Sequence, residues 1–274
     1  MEAIMADSSK GTALVTGASS GIGAVYADRL AGRGYDLILV ARDADRLASL
    51  ASRLRAETGR IIDVLPADLT HPDQLASVEA RLAADPSVTL LVNNAGILLK
   101  GGLLDNGPAA LAGLIAINIT APTRLAAAAG RAFVGRGAGT IVNIASVLAL
   151  APELFDGVYS GSKAYLLNLS LELAATLRSR GVHVQAVLPG ATRTDIWTNS
   201  GIDAETSMPG LVMEAGDLVD AALLGLDRGE VVTIPPLADE ALWVDYDRAR
   251  LALAPHLSRR EVAPRYHAAI ARAA

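Results

Sequence analysis

Tyr159 and Lys163 stand four residues apart in the pentad Tyr159-Ser160-Gly161-Ser162-Lys163. That spacing is about one helical turn, so a helix here would present a phenol and an ammonium on one face. A phenol with its ordinary pKa near 10 exchanges protons poorly at neutral pH. A neighbouring cation favours phenolate and lowers that value. The pair is therefore expected to give and take a proton near physiological pH. Lys163 is also one of only three lysines, with Lys10 and Lys100, in an arginine-rich chain. A guanidinium would supply charge but not the same compact ammonium. Taken alone, a Tyr–Lys pair at this spacing is equally an exposed pair on an ordinary helix.

A second set of residues could hold a phosphate-bearing ligand. Thr16-Gly17-Ala18-Ser19-Ser20-Gly21-Ile22-Gly23 follows an apolar run, Thr12 to Thr16, and opens a helical stretch from about Ile22 to Arg33. Glycines allow a tight turn and close approach of backbone to a pyrophosphate. The helix start offers free N–H groups and a positive partial charge. Ser19 and Ser20 add hydroxyls. The spacing GxxxGxG differs from the phosphate loop GxxxxGK[ST], since no lysine follows the last glycine. The carboxylate that would accept from a free ribose 2′-hydroxyl is sought about twenty residues on, at the end of the second strand. Ala41 and Arg42 stand there instead. A guanidinium suits a 2′-phosphate, which favours NADP(H) over NAD(H). Asp43 competes for the ribose but reads better as the N-cap of the helix that follows.

The elements that must position these groups can be read from apolar periodicity. Asp36 to Ala41, Ile61 to Leu65, Leu90 to Asn93, Thr140 to Ala145 and Val182 to Leu188 repeat the first strand's near-continuous apolar character. Strands covered by helices on both faces read this way. Helical stretches alternate with them: Asp43 to Glu57, Pro108 to Ala132 with Asn118 inside it, Val158 to Arg180 carrying the Tyr–Lys pair, and Asp217 to Asp227. Leu166, Leu169, Leu173 and Leu177 form a stripe on the third of these. The pattern predicts an α/β fold, a single-domain Rossmann-type doubly wound parallel sheet with right-handed crossovers. A last strand is expected at Val231 to Ile234, before Pro235-Pro236. The main domain is read as 11–234, with 235–274 a short C-terminal helical appendage packed on it.

Composition narrows the classes. The 274 residues are 51% hydrophobic and only 4% aromatic, so the core is aliphatic. A net charge of −5 lacks the basic field of a nucleic-acid binder. There is no cysteine, which removes disulfides, thiolate catalysis and cysteine zinc sites. His71, His183, His256 and His267 show no metal-ligand spacing, and no metal is expected. Met1 to Lys10 has no apolar stretch of signal-peptide length and no run of about eighteen apolar residues occurs, so a cytoplasmic setting without a membrane span is expected.

The ordered motifs resemble the short-chain dehydrogenases/reductases over residues 11 to about 234. The resemblance rests on TGASSGIG (16–23), Asp68-Leu69, Asn93-Asn94-Ala95-Gly96, Asn118, Ser146 thirteen residues before Tyr159, the YSGSK pentad, and Pro189-Gly190 followed by Thr192 and Thr194. It implies that Tyr159 is the acid–base group, that Lys163 tunes it and bonds the nicotinamide ribose, and that Ser146 holds the carbonyl oxygen. It implies that Asn118 anchors a water in a proton relay. It places Gly17, Ser19, Ser20, Gly21, Ile22, Gly23 and Arg42 on the cofactor, with Asp68 and Leu69 at the adenine. Asn93, Ala95 and Gly96 line it near the adenosine ribose, and Pro189, Gly190, Thr192 and Thr194 lie at the carboxamide end.

The resemblance implies hydride exchange between a carbonyl and an alcohol. A catalytically idle dinucleotide sensor or scaffold, and a lyase or epimerase using the cofactor transiently, are the alternatives. The pocket is expected from Ile97 to Gly101, Val147 to Phe155 and a substrate loop at about 192–215. Leu98, Leu99, Val147, Leu148, Leu150, Leu154, Phe155, Trp197, Met208 and Met213 make it apolar, which suits a small, partly hydrophobic substrate. Arg193 is the one nearby cation, for the substrate or only for the loop. The family's habit implies a homodimer or homotetramer.

Overall fold

Seven short runs of Val, Leu, Ile and Ala pair in parallel into one sheet. The computed structural model describes residues 10–155 and 157–266. The leader region before Lys10 and the tail from His267 onward lie outside the described residues. The strands are β1 (Thr12–Thr16), β2 (Asp36–Ala41), β3 (Ile62–Pro66), β4 (Val88–Asn93), β5 (Gly139–Ile144), β6 (Val182–Val187) and β7 (Val232–Thr233), in the order β3-β2-β1-β4-β5-β6-β7. Every pairing is parallel. The order reverses between β1 and β4, and a doubly wound sheet binds ligands at the carboxyl ends of its strands at that point.

Alternate residues of each strand feed two cores, as the two-residue side-chain period requires. Ala13, Val15, Leu37, Leu39, Leu90 and Val92 face α1 (Gly21–Gly32), α2 (Ala44–Thr58) and α9 (Ala215–Asp227), where Tyr26, Leu30, Leu54 and Leu218 are buried. Leu14, Ile38, Val40, Leu91 and Ile141 face the other side. There α3 (Pro72–Ala84), α5 (Ala121–Arg136) and α6 (Gly157–Leu177) supply Leu75, Val78, Leu125, Phe133 and Ala174.

Three readings need correction. The expected helix from Pro108 is α4 (Pro108–Ile115), then a π-helical turn over Ala116–Thr120, then α5. The buried face of α6 is not the leucine stripe. It runs through Tyr159, Ser160, Ser162, Lys163, Leu166, Leu167, Ser170 and Ala174, leaving Leu169, Leu173 and Leu177 half-buried. Polar groups took the inward positions because the site lies on that side. The substrate loop also carries order that its composition did not show: α7 (Asp195–Asn199) and α8 (Ala204–Ser207). Pro108–Arg136 is the one described helix long and apolar enough to cross a membrane, by length and composition alone. Its Leu114, Leu125, Ala129 and Phe133 are buried within the protein.

The chain divides into two units, 1–236 and 237–274. The second carries α10 (Glu240–Leu253) and two short 3₁₀ turns, Ala254–His256 and Pro264–Tyr266.

Candidate active site

The glycine-rich turn is built so that nothing but glycine fits two of its corners. Gly17 has φ +65°, and a methyl there would meet Asn94 Nδ2 at 2.8 Å. A methyl on Gly23 would run into the Gly17 carbonyl oxygen. The turn is held to the next strand over by Asn94, whose Nδ2 donates to Thr16 O at 2.9 Å. Thr16 Oγ1 in turn accepts from the N–H groups of Asn94 and Ala95, each at 3.0 Å. These bonds bring the carboxyl ends of β1 and β4 together and leave the start of α1 facing the cleft. Thr194 closes over it, since a methyl on Gly21 would touch the Thr194 Cβ at 3.0 Å. This is the cradle that a pyrophosphate requires, and it fits a dinucleotide.

At the end of β2 Arg42 is exposed, and Asp43 is the N-cap of α2, its Oδ1 accepting from Arg46 N at 2.9 Å. The competing reading of Asp43 is thereby decided in favour of the cap. Across the rim, burial would raise the Asp68 carboxyl, but bonds from the Thr70 hydroxyl and N–H, with the charges of Arg42 and His71, hold it below the usual range. Asp68 makes a turn with Thr70 and does not cap α3, whose N-cap is His71. Arg42 and Asp68 thus share one edge, where the sequence placed the adenosine end.

The four groups expected to do chemistry converge and are all buried. Ser146 follows β5 and caps a short turn, its Oγ accepting from Leu148 N at 3.1 Å. Its side chain shares a hydrogen bond with the Tyr159 phenol. Lys163 Nζ donates to Ile144 O at 3.0 Å and lies 5.5 Å from the Tyr159 ring centre. Asn118, on the π-turn, accepts from Ile97 N and donates to Ile97 O, both at 2.9 Å, and donates to Ser162 Oγ at 3.1 Å. Gly96 sits where Asn118 Oδ1 and Lys163 Nζ meet, at 3.1 and 3.5 Å from where its Cβ would be.

Two expectations about these groups are revised. The phenol is not lowered by the protein's own atoms. Burial pushes it up to about 12, against a lowering from the bond with Ser146. Burial also brings the Lys163 amine down to about 8. Both shifts disfavour charge in a dry site. The side chain of Asn118 is committed to Ile97 and Ser162, so any water in a relay is not held by its amide. Asn93 likewise turns away from the cleft. It is buried and donates to Pro122 O and to Asn143 Oδ1, bracing β4 against β5. Asn94, Thr16 and Ser162 are the polar residues that the sequence reading left without a role. All three adjoin motif residues, which was the available signal.

The pocket wall is aliphatic and aromatic. Leu98, Leu114 and Tyr159 form a buried cluster with Leu99, Leu148, Phe155, Val158, Ile196, Trp197 and Ile202 packed on it. Phe155 stands edge-on to both Tyr159 and Trp197, with ring centres 6.1 and 6.4 Å apart. Trp197 Nε1 donates to Thr192 O at 2.8 Å, which fixes the indole. Leu154, 76% exposed, is not part of this wall, and Met213 packs instead on the core behind α1. Beneath the loop lies an open cavity of about 460 Å³ that shares Trp197 and Ile202 with the apolar cluster. Arg193 does not point a free charge at a substrate. It pairs with Glu205 at 2.6 Å and Glu214 at 2.7 Å, so it holds the loop.

Comparison with known proteins agrees with this geometry. The short chain dehydrogenase family profile matches residues 11–205. A short-chain dehydrogenase from Sphingobium yanoikuyae, solved in complex with NADPH, is 51% identical; the match covers 93% of this chain and 100% of that one, with a TM-score of 0.91. A bulky-bulky ketone specific alcohol dehydrogenase from Comamonas testosteroni is 47% identical over 94% of this chain and 98% of its own, with a TM-score of 0.87. A galactitol 2-dehydrogenase from Cereibacter sphaeroides is 36% identical over 67% of this chain and 72% of its own.

Proposed function

The chain belongs to the short-chain dehydrogenase/reductase family, and from that premise we propose that it interconverts a ketone flanked by two bulky apolar groups with its secondary alcohol, using NADP(H). The observation that carries the reading is the hydrogen bond between the Ser146 hydroxyl and the Tyr159 phenol at the edge of an apolar wall. Two hydroxyls that touch each other can also grip one oxygen atom between them.

A nicotinamide dinucleotide, when bound, supplies or takes the hydride. Gly17, Gly21, Ile22 and Gly23 would hold its pyrophosphate, and Arg42 its 2′-phosphate. Asp68 and Leu69 would lie at the adenine, and Thr192 and Thr194 at the carboxamide end. Tyr159 gives its phenolic proton to the carbonyl oxygen during reduction and takes it back during oxidation. A phenol held at about 12 keeps its proton until a stronger base is presented, so the neutral acid is the resting form. Ser146 donates to the same oxygen and stabilises developing negative charge there, an oxyanion-type contact. The nearby Lys163 ammonium stabilises the phenolate that remains. Ser162 and Asn118 keep the helix carrying Tyr159 in register with the strand end at Ile97.

Substrate size follows from the wall. Phe155, Trp197, Leu99 and Ile202 offer apolar surface without an available cation, and a cavity of about 460 Å³ lies within the ordinary range for small-molecule sites, roughly 300–1,000 Å³. The relative from Comamonas testosteroni acts on bulky-bulky ketones, which supports the same substrate class here.

The test is NADPH consumption with a panel of diaryl and aryl-alkyl ketones against methyl ketones. Turnover should favour the bulkier substrates, and Tyr159→Phe should lose at least about a hundredfold in kcat while still binding NADPH. Bound NADPH without turnover on any ketone would mark a dinucleotide sensor and defeat the proposal.

A further inference from the structure

The last described helix buries nothing. No residue of α10 is buried, although Leu242, Tyr246 and Leu253 are 61%, 47% and 56% exposed. A helix of this length is marginal in water unless packing supports an apolar face. At about 100° per residue, Leu242, Tyr246, Ala249 and Leu253 fall within an arc of about 60°. Their 4-3-4 spacing is that of a seam between paired helices.

The charges beside this seam are ordered. Asp245 and Arg248 lie on one flank, joined at 2.8 Å. Asp247 and Arg250 lie on the other, joined at 2.7 Å. Each flank therefore carries its acid toward the helix start and its base toward the helix end.

We propose that this seam receives the same seam of a second copy of the chain, antiparallel, about a two-fold axis passing between Tyr246 and Ala249. In that arrangement Leu242 meets Leu253 of the second copy, and Tyr246 meets its Ala249. Like flanks face each other in antiparallel helix pairs. Asp245 then stands level with Arg248 of the second copy, and Asp247 with its Arg250, so all four charges find opposite charges twice over. A parallel pair would set one flank against the other at the same height, acid beside acid and base beside base. The contact is self-complementary and closes at two chains, as an isologous interface must. The apolar seam supplies adhesion. The exposed ion pairs add little energy but select the orientation. The inference does not rest on the oxidoreductase reading.

The chain has no cysteine, so engineered ones report without background. Positions 242 and 253 lie about 16 Å apart along one helix, beyond the reach of about 7 Å of a disulfide, so they cannot bridge within a chain. Under mild oxidation of the full-length protein, the double variant Leu242→Cys/Leu253→Cys should form a reducible dimer, while each single variant stays unlinked. Singles that link as readily as the double would overturn the antiparallel pairing, and a double variant that stays unlinked would overturn the contact. A second measurement does not depend on oxidation. Asp245→Arg/Asp247→Arg makes both flanks basic and should halve the particle mass in sedimentation at low salt. Adding Arg248→Asp/Arg250→Asp should restore it, with circular dichroism confirming that both variants fold. An unchanged mass in the first variant, or an unrestored mass in the second, would refute the proposal.

Discussion

Replacing Lys163 by Met should abolish turnover and yet make the nucleotide-free protein more stable. Lys163 is 5% exposed, and burial brings its amine from the ordinary 10.5 to about 8. That difference corresponds to about 3 kcal/mol of preference for the neutral amine inside the fold. At pH 7 the amine is nevertheless protonated, folded or unfolded, so the folded protein carries this burden in full. Met fills a similar volume without a charge. It also leaves Ile144 O, which accepts from Nζ at 3.0 Å, without that donor, a loss of about 1 kcal/mol. The net gain at pH 7 is then about 2 kcal/mol, or roughly 4–8 °C in Tm for a protein of this size. The pH dependence has a definite sign. Between about pH 8 and 10.5 the unfolded chain still holds the lysine proton that the folded chain has released, so wild-type stability rises with pH in that window. The Met variant has no such term, and its advantage should shrink from pH 7 to pH 10. Tyr159, held at about 12, removes stability only above about pH 10, in both proteins. Urea unfolding of both at pH 7, 8, 9 and 10 is the assay. A Met variant less stable at pH 7, or an advantage that does not change with pH, would refute the argument that desolvation dominates this lysine.

Two other outcomes are expected. Arg42→Ala should lower kcat/KM for NADPH by about ten- to a hundredfold, the worth of a charge-assisted bond to phosphate, and leave NADH use nearly unchanged; steady-state kinetics with both cofactors decides it, and a parallel loss with NADH would remove Arg42 from cofactor selection. Gly23→Ala should abolish NADPH binding measured by fluorescence titration and lower Tm, because the added methyl meets the Gly17 carbonyl oxygen; an alanine variant that binds normally would show that the turn can open without consequence.

The sheet was legible because each strand is buried on both faces, which makes Val, Leu and Ile nearly continuous from Thr12–Thr16 to Val182–Val187. The glycine turn and the Ser–Tyr–Lys set were legible for a different reason: their chemistry demands fixed residue types at fixed places. What escaped was set by tertiary context. Asn93 and Asn94 are neighbours in sequence, but successive strand residues point oppositely. Only the pairing of Asn93 with Asn143 shows that the first braces the sheet while the second holds the turn. The proximity of a cation to Tyr159 could be read from four-residue spacing, whereas the depth of both groups could not, and depth outweighs the neighbour in setting the phenol. The segment 116–120 has ordinary helical composition, so its π-turn left no trace in the residues themselves.

That irregular turn has a consequence for how the chain can vary. A π-turn holds one residue more than the α-helix it interrupts. Deleting any one residue between Ala116 and Thr120 would regularise the helix but rotate all that follows by about 100°. Leu125, Ala129 and Phe133, now buried in the core beside the sheet, would swing away from it. The phase in which Asn118 is offered to Ile97 and Ser162 is thus locked from downstream by aliphatic packing, and an indel here damages core and catalyst together where a point substitution would touch only one.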